Sequence, residues 1–99
     1  MKARLAPEAE CDIDEAVAWY DGRGGSELGD EFVRRVDACI AQVELRPRLY
    51  PVVHRRTRRA LVDVFPYQVL YGIGRTEIVV YGVYHCARDP ESWKRRVPR

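Results

Sequence analysis

A run of strand-forming residues in the second half of the chain most constrains the fold. It spans residues 58–96 and reads RRALVDVFPYQVLYGIGRTEIVVYGVYHCARDPESWKRR. Ala60–Phe65 is apolar apart from Asp63, and Tyr67–Ile73 alternates apolar and other residues with a period of two. Thr76–Tyr84 is rich in β-branched and aromatic residues, as expected of a central strand. These runs predict three consecutive antiparallel strands.

Proline and glycine mark the ends of these strands. Pro66 bends the chain, so the first two strands meet at a corner. Gly74-Arg75 fits a two-residue hairpin turn with glycine first. After the third strand, Asp89-Pro90 marks a turn, and Glu91–Val97 predicts a single helical turn that carries Trp93.

The first half of the chain predicts two helices. Pro7 and the acidic residues after it favour a helix start, and the glycines at 22, 24 and 25 end that helix. Ser26 is a plausible N-cap for a second helix, which ends before Pro47. Each helix has one apolar stripe, so we expect an antiparallel helical hairpin packed on the sheet. Met1–Ala6 alternates weakly and predicts a further short strand, while Arg46–Thr57 is expected to be irregular.

We therefore predict a single α+β domain over residues 1–99, with a two-helix antiparallel hairpin on a three- to four-stranded antiparallel sheet. The composition, 46% hydrophobic and 32% charged, argues against disorder. Three cysteines without a CxxC motif indicate free thiols in a reducing compartment. The sequence has no apolar signal segment and no run that could span a bilayer, so we expect a cytoplasmic protein with no membrane partner.

Charge is distributed unevenly along the chain. Residues 1–45 contain five Lys/Arg and eleven Asp/Glu, a net of −6, whereas residues 46–99 contain twelve and four, a net of +8. Such a separation predicts a basic face for an anionic partner, either a nucleic acid or an acidic protein segment.

The first candidate cluster is the arginine run Arg55, Arg56, Arg58 and Arg59, which follows His54. Arginines entering a strand can grip phosphates or a carboxylate-rich peptide. The alternative is a solvated edge whose charge discourages sheet-to-sheet pairing. We expect Arg58→Glu with Arg59→Glu to weaken binding and leave the fold intact.

The second candidate cluster follows the third strand. Its members are His85, Cys86, Arg88, Asp89, Trp93, Lys94, Arg95 and Arg96. A histidine can act as an acid or a base, but adjacent residues of a strand point to opposite faces, which disfavours a Cys86–His85 pair. Trp93 is expected to be a packing anchor, and Arg88 is as well explained by an ion pair as by a functional role. No metal-ligand spacing and no phosphate loop is present.

Several of these segments together resemble the RelE/ParE superfamily of bacterial type II toxin–antitoxin toxins. The resemblance rests on Pro7-Glu8-Ala9, Asp12, Asp14, Pro47, Phe65-Pro66-Tyr67, Tyr71, His85, Arg88-Asp89-Pro90, Trp93 and Arg96. It implies a toxin, without a cofactor, that forms a hetero-oligomer with a cognate antitoxin whose disordered C-terminal segment folds across the toxin surface.

The resemblance leaves the target open between two branches. ParE-like members poison DNA gyrase, and RelE-like members are ribosome-dependent mRNA nucleases that use lysines, arginines and a C-terminal tyrosine. This chain has only two lysines, has Gln68 about where the nucleases have a strand arginine, and has Trp93 near their tyrosine. A nuclease would have to rely on Arg58, Arg59, His85 and Arg88, and arginine is a poor general base.

We therefore favour a ParE-like, non-hydrolytic gyrase inhibitor over a RelE-like nuclease acting on the ribosome and its mRNA. A non-toxic nucleic-acid-binding or scaffold domain is a third possibility. The expected target- or antitoxin-binding residues are Arg55, Arg56, Arg58, Arg59, Tyr67, His85, Arg88, Trp93, Arg95 and Arg96.

Overall fold

The computed structural model describes residues 1–99, which form five strands, two long helices and one short helix. The strands are β1 (Ala3–Leu5), β2 (Val52–His54), β3 (Thr57–Leu61), β4 (Tyr67–Ile73) and β5 (Ile78–His85). The helices are α1 (Pro7–Gly24), α2 (Ser26–Leu45) and α3 (Pro90–Lys94). No helix is both long enough and apolar enough to cross a membrane.

The strands form one sheet in the order β1-β5-β4-β3-β2. All neighbouring pairs are antiparallel except β1 and β5, which are parallel. The α+β class and the helical hairpin on the sheet are confirmed, but the predicted strand number was too low, and the sheet is mixed. The miscounted edge strand, β2, has only three residues, too few for a period of two to be visible in the sequence.

The two long helices are joined by Gly25 alone, whose φ of 77° lies in the left-handed region. Glycine reaches this region without the steric cost that a Cβ imposes. Ser26 is therefore the first residue of α2 and not its cap, and no side chain caps this helix. Pro7 begins α1 as predicted, and α2 ends at Leu45, shortly before Pro47.

The main core lies between the helical hairpin and one face of the sheet, here called the helix face. Its central members include Phe32, Val36 and Val43 of α2 and Val69 and Tyr71 of β4. The second face of the sheet carries a smaller cluster, formed by Leu70, Tyr84, Trp93 and Val97. The short helix α3, predicted as a helical turn that carries Trp93, lies on this second face.

Two predicted strand ends were wrong. The β4–β5 loop has four residues, 74–77, because Ile73 pairs directly with Ile78, and the Gly74 amide donates to the Glu77 carbonyl at 2.8 Å. The predicted two-residue turn at Gly74-Arg75 is therefore replaced by a longer loop. Strand β3 ends at Leu61, and Val64 in the following loop has a φ of 74°, which no extended strand permits.

Candidate functional site

A groove of about 530 Å³ lies between α1 and the end of the sheet where β4 begins and β5 ends. It is lined by Asp12, Glu15, Ala16, Trp19, Tyr20, Pro66, Tyr67, Val83, His85 and Arg88. We call it the aromatic groove. It contains three of the residues expected from the sequence to bind a partner, namely Tyr67, His85 and Arg88.

The strand register brings the sheet side of the groove together. Tyr67 and His85 are cross-strand partners on β4 and β5, and their ring centroids lie 5.2 Å apart in an edge contact. The ring centroids of Tyr67 and Phe32 lie 4.8 Å apart, and those of Tyr20 and Phe65 lie 5.0 Å apart. These rings fix the floor of the groove rigidly.

Trp19 forms the exposed rim of the groove. About half of its surface is open to solvent, and it is the only exposed aromatic residue of the chain. Its ring meets Tyr20 edge-on at 5.2 Å, and the guanidinium of Arg23 lies 3.7 Å from its centroid. A large ring held in place while still exposed is characteristic of a binding anchor.

His85 and Arg88 supply the polar groups on the sheet side. The Ala87 amide donates to Nδ1 of His85 at 3.0 Å, which leaves Nε2 as the ring nitrogen free for a ligand. The Arg88 guanidinium lies 4.8 Å from the ring centroid of Tyr84. Arg88 therefore contacts an aromatic ring in place of the ion pair considered from the sequence.

Burial raises the pKa of Tyr67, and the neighbouring Tyr20 raises it further, while Arg88 opposes the shift. The phenol therefore stays protonated at neutral pH and can donate a hydrogen bond, but it cannot serve as a base. With acidic Asp12 and Glu15 on the opposite wall, the groove suits an apolar side chain with polar groups at its rim.

Arg96, another predicted binding residue, is engaged within the fold. Its Nη1 donates to Oδ2 of Asp12 at 2.6 Å and to the Tyr81 carbonyl at 3.3 Å. The same Asp12 oxygen accepts from the Val83 amide at 3.0 Å. Strand β1 pairs with β5 only as far as Val80, so this ion pair satisfies the β5 edge where β1 has ended.

The arginines of the run do not lie on one face, because successive side chains of a strand point to opposite faces of the sheet. Arg58 shares the helix face with Ala60, and its Nη1 donates to the carbonyls of Arg48 and Tyr50 at 3.2 and 2.6 Å. Arg59 is exposed on the second face, beside Leu70 of β4. Arg55 and Arg56 are exposed in the β2–β3 turn, where Arg55 has a φ of 54°.

A second cavity, of about 420 Å³, lies between the β2–β3 turn and the C-terminal segment. It is lined by His54, Arg55, Glu91, Lys94, Arg95, Val97 and Arg99. We call it the basic cleft. Trp93 does not line the cleft, because its indole is buried in the second-face cluster. Its ring centroid lies 6.1 Å from that of the lining residue His54.

The expected binding residues therefore do not form one surface. Tyr67, His85 and Arg88 lie in the aromatic groove, and Arg55 and Arg95 lie in the basic cleft. The others are the exposed arginines 56 and 59, the internally bonded Arg58 and Arg96, and the buried Trp93.

Seven of the ten groove residues were not expected from the sequence to bind a partner, among them the exposed Trp19 and Glu15. Trp19 lies outside the apolar stripe of α1, on a part of the helix that is otherwise polar. That position was the available signal, since a tryptophan beyond the buried stripe has to be exposed.

Cysteine and metal chemistry find no support in the geometry. Cys39 is buried, and burial raises the pKa of its thiol to about 11, so it is not a nucleophile at neutral pH. Cys86 is exposed and is not among the residues lining the aromatic groove. No group of three or more His, Cys, Asp or Glu residues is arranged to hold a metal ion.

Comparison with known proteins gives a result at the level of structure. No protein-family model matches the sequence, and no curated protein matches it either. Among solved structures, the chain is similar to a chain described as the chromosomal ParDE TA (toxin–antitoxin) system from P. aeruginosa. The TM-score is 0.71 at 16% identity, over 86% of this chain and 95% of that one. This protein therefore has the fold of a chain from a ParDE toxin–antitoxin system.

Proposed function

We propose that this protein is the toxin of a type II toxin–antitoxin pair, of the ParE-like branch. It inhibits DNA gyrase by protein contact and is neutralised by a cognate antitoxin. The fold shared with a ParDE chain supports the toxin–antitoxin role. The segments that carried the family resemblance also meet in space, since Asp12, Tyr67, His85 and Arg88 line one groove.

We favour gyrase over the ribosome because the side chains that a nuclease would need lie far apart in the structure. Arg58 pairs in register with Tyr71, and His85 pairs with Tyr67, four residues earlier on β4. At about 3.3 Å per residue and about 4.8 Å per strand, their backbones are about 16 Å apart. Arg59 lies on the opposite face from both.

This dispersal argues against concerted acid–base chemistry on one phosphate. A general base must lie within hydrogen-bonding reach of the proton it takes, and the stabilising cations must surround the same phosphate. Here Arg58 is occupied by two carbonyls, and burial keeps Tyr67 protonated. The geometry supports a protein that acts by binding.

The aromatic groove is the proposed docking place for the antitoxin. It offers an exposed indole, a rigid ring floor and charged groups on both walls, which suits an amphipathic segment folding on binding. The expected product is a hetero-oligomer in which Trp19 is covered.

Two assays test the proposed target. Purified protein is added to a gyrase supercoiling reaction and, separately, to ribosomes carrying a defined mRNA. Accumulation of cleaved DNA is expected in the first reaction and intact mRNA in the second. mRNA cut at the ribosomal A site would instead establish the nuclease alternative. Inactivity in both, with no growth arrest on expression, would leave the non-toxic binding domain.

Replacing Trp19 by Ala tests the antitoxin site. We expect binding of the antitoxin encoded beside the toxin to weaken by at least about 30-fold, the cost of losing a central aromatic anchor. Isothermal titration calorimetry measures it. Leu49→Ala removes a similarly exposed apolar side chain outside the groove and should bind normally. Equal affinity of the two variants would move the antitoxin site elsewhere.

A further inference from the structure

The arginines of this protein differ sharply in whether a carboxylate neutralises them. Arg4, Arg34 and Arg35 in the first half of the chain each form an ion pair. In the second half only Lys94 and Arg96 do so. Five exposed arginines around β3 and the C-terminal segment have no carboxylate partner: Arg55, Arg56, Arg59, Arg95 and Arg99.

The fold places three of these arginines, Arg55, Arg95 and Arg99, around the basic cleft although the sequence separates them, and Arg59 lies on the same face of the sheet as the C-terminal segment. Arg55 stands in the β2–β3 turn, and Arg95 and Arg99 follow α3 across the basic cleft from it. Arg59 is on the second face of the sheet, beside Leu70, which packs in the same cluster as Trp93 and Val97. The buried Trp93 and Val97 hold the backbone of the C-terminal segment against the sheet, so the position from which Arg95 extends is fixed.

The cleft carries one acidic side chain, Glu91, and that carboxylate lies 3.6 Å from Lys94. The other basic side chains of the cleft form no ion pair with an acidic side chain of the protein. Like charges held together without compensation destabilise the free protein, and binding an anion relieves this repulsion.

The lining of the cleft selects among anionic ligands. Val97 is its only apolar side chain and is itself buried, so the cleft offers no pocket to anchor a peptide. Unpaired bases bind mainly by stacking on exposed aromatic rings; the cleft offers only the half-buried ring of His54, and the exposed ring of Trp19 is in the aromatic groove. Phosphates presented by a duplex need neither feature, only positioned guanidinium groups.

We propose that the basic cleft, with Arg55, Arg59, Arg95 and Arg99, binds the backbone phosphates of duplex DNA. The proposal deepens the proposed function and rests on it for its setting, because gyrase is an enzyme that works on duplex DNA. Binding is expected to be independent of base sequence, since the proposed contacts are made to backbone phosphates. It occupies a surface separate from the aromatic groove.

Fluorescence anisotropy of a labelled duplex of about two helical turns tests this binding directly. Four phosphate contacts predict a log–log salt slope of about −3.6, so affinity should fall about 150-fold between about 50 and 200 mM salt. The single strand of the same length and a polyglutamate peptide are the competing probes. Tighter binding of either one than of the duplex, or salt-independent binding, would overturn the proposal.

The paired substitution Arg55→Gln with Arg95→Gln removes two contacts. The salt slope should fall to about −1.8, and the same change in salt should then weaken binding only about 12-fold. Arg4→Gln with Arg34→Gln is the control, because it removes two exposed charges outside the cleft. Equal slopes for the two variants would contradict the assignment.

The variant Arg55→Lys with Arg95→Lys keeps both charges. It tests the assignment even if the two glutamine substitutions disturb the fold. Its slope should stay near −3.6, since lysine also neutralises a phosphate; a slope near −1.8 would contradict a phosphate-binding role. The gyrase assay separates this inference from the proposed function. If the protein traps gyrase but binds no duplex, only the proposal of DNA binding at the cleft is refuted. If it binds the duplex but has no effect on gyrase, only the proposed gyrase inhibition is refuted.

Discussion

Arg58 differs from the other arginines of its run because its guanidinium turns back onto the chain. It is half-buried and donates to the carbonyls of Arg48 and Tyr50, which ties the loop after α2 to β3. The expected charge reversal at Arg58 and Arg59 would therefore disturb the fold as well as the surface. Strand alternation decides this difference, and the sequence motif RRTRR does not reveal which arginine turns inward.

Arg58→Ala should lower the free energy of unfolding by about 2 kcal/mol, since two carbonyls lose a charged donor. Arg59→Ala should change it by less than about 0.5 kcal/mol, because Arg59 is exposed and unpaired. Urea unfolding followed by circular dichroism measures both values. Equal effects at the two positions would show that the Arg58 bonds contribute no net stability.

Gln68 is buried on β4, and its Oε1 accepts no hydrogen bond. A buried acceptor without a donor costs about 1–3 kcal/mol. Replacing it with Met, which has a similar volume and no acceptor to satisfy, should therefore raise the free energy of unfolding by about 1 kcal/mol. A loss of stability in the same urea titration would reveal a donor for this oxygen.

At the scale of elements, the β5 edge is closed partly by a strand and partly by side chains. Strand β1 supplies the backbone ladder as far as Val80, and the Asp12–Arg96 pair supplies partners for Val83 and Tyr81 beyond it. The pair also links α1 to the C-terminal segment, 84 residues apart in sequence. Asp12 and Arg96 both belonged to the family resemblance, and their geometry gives them a structural role.

A double-mutant cycle on Asp12→Ala and Arg96→Ala measures the strength of this link. Each single variant should lose about 2 kcal/mol of unfolding free energy, because charged hydrogen bonds to the partner and to the strand edge are removed together. The coupling energy should exceed about 0.5 kcal/mol. Strict additivity of the two losses would mean that the two side chains act independently.

At the scale of the whole molecule, the buried core makes stability sensitive to high pH. Burial raises the pKa of Cys39 from 9.0 to about 11 and, mainly by the same cause, that of Tyr71 from 10.0 to about 12. The unfolded chain therefore loses these protons at lower pH than the folded chain does. It binds fewer protons in this range, so the free energy of unfolding falls as pH rises.

We expect stability to be constant around pH 7–8 and to decline between about pH 9 and 12. Urea unfolding at several pH values gives the curve. Cys39→Ala should make the decline shallower, whereas Cys86→Ala, which removes an exposed thiol, should leave its slope unchanged. A flat curve through this range would show that neither group is shielded in the folded state.

The sequence by itself determined the elements whose signals are local. The two apolar stripes predicted the helices, Pro7 and Pro47 marked their outer limits, and the apolar and alternating runs predicted three long strands without all of their ends. These features follow from side-chain periodicity and from the backbone restrictions of proline and glycine, so neighbouring residues suffice to predict them. The α+β architecture followed because both stripes needed one sheet to cover them.

Only the tertiary structure decided how the candidate residues are grouped. It separated Arg58 from Arg59, enclosed Arg96 with Asp12, and divided the expected surface into an aromatic groove and a basic cleft. It also added β2 to the sheet and exposed Trp19. Strand register, the bend at each loop and the packing of α3 set these contacts, and each depends on residues far apart in the chain.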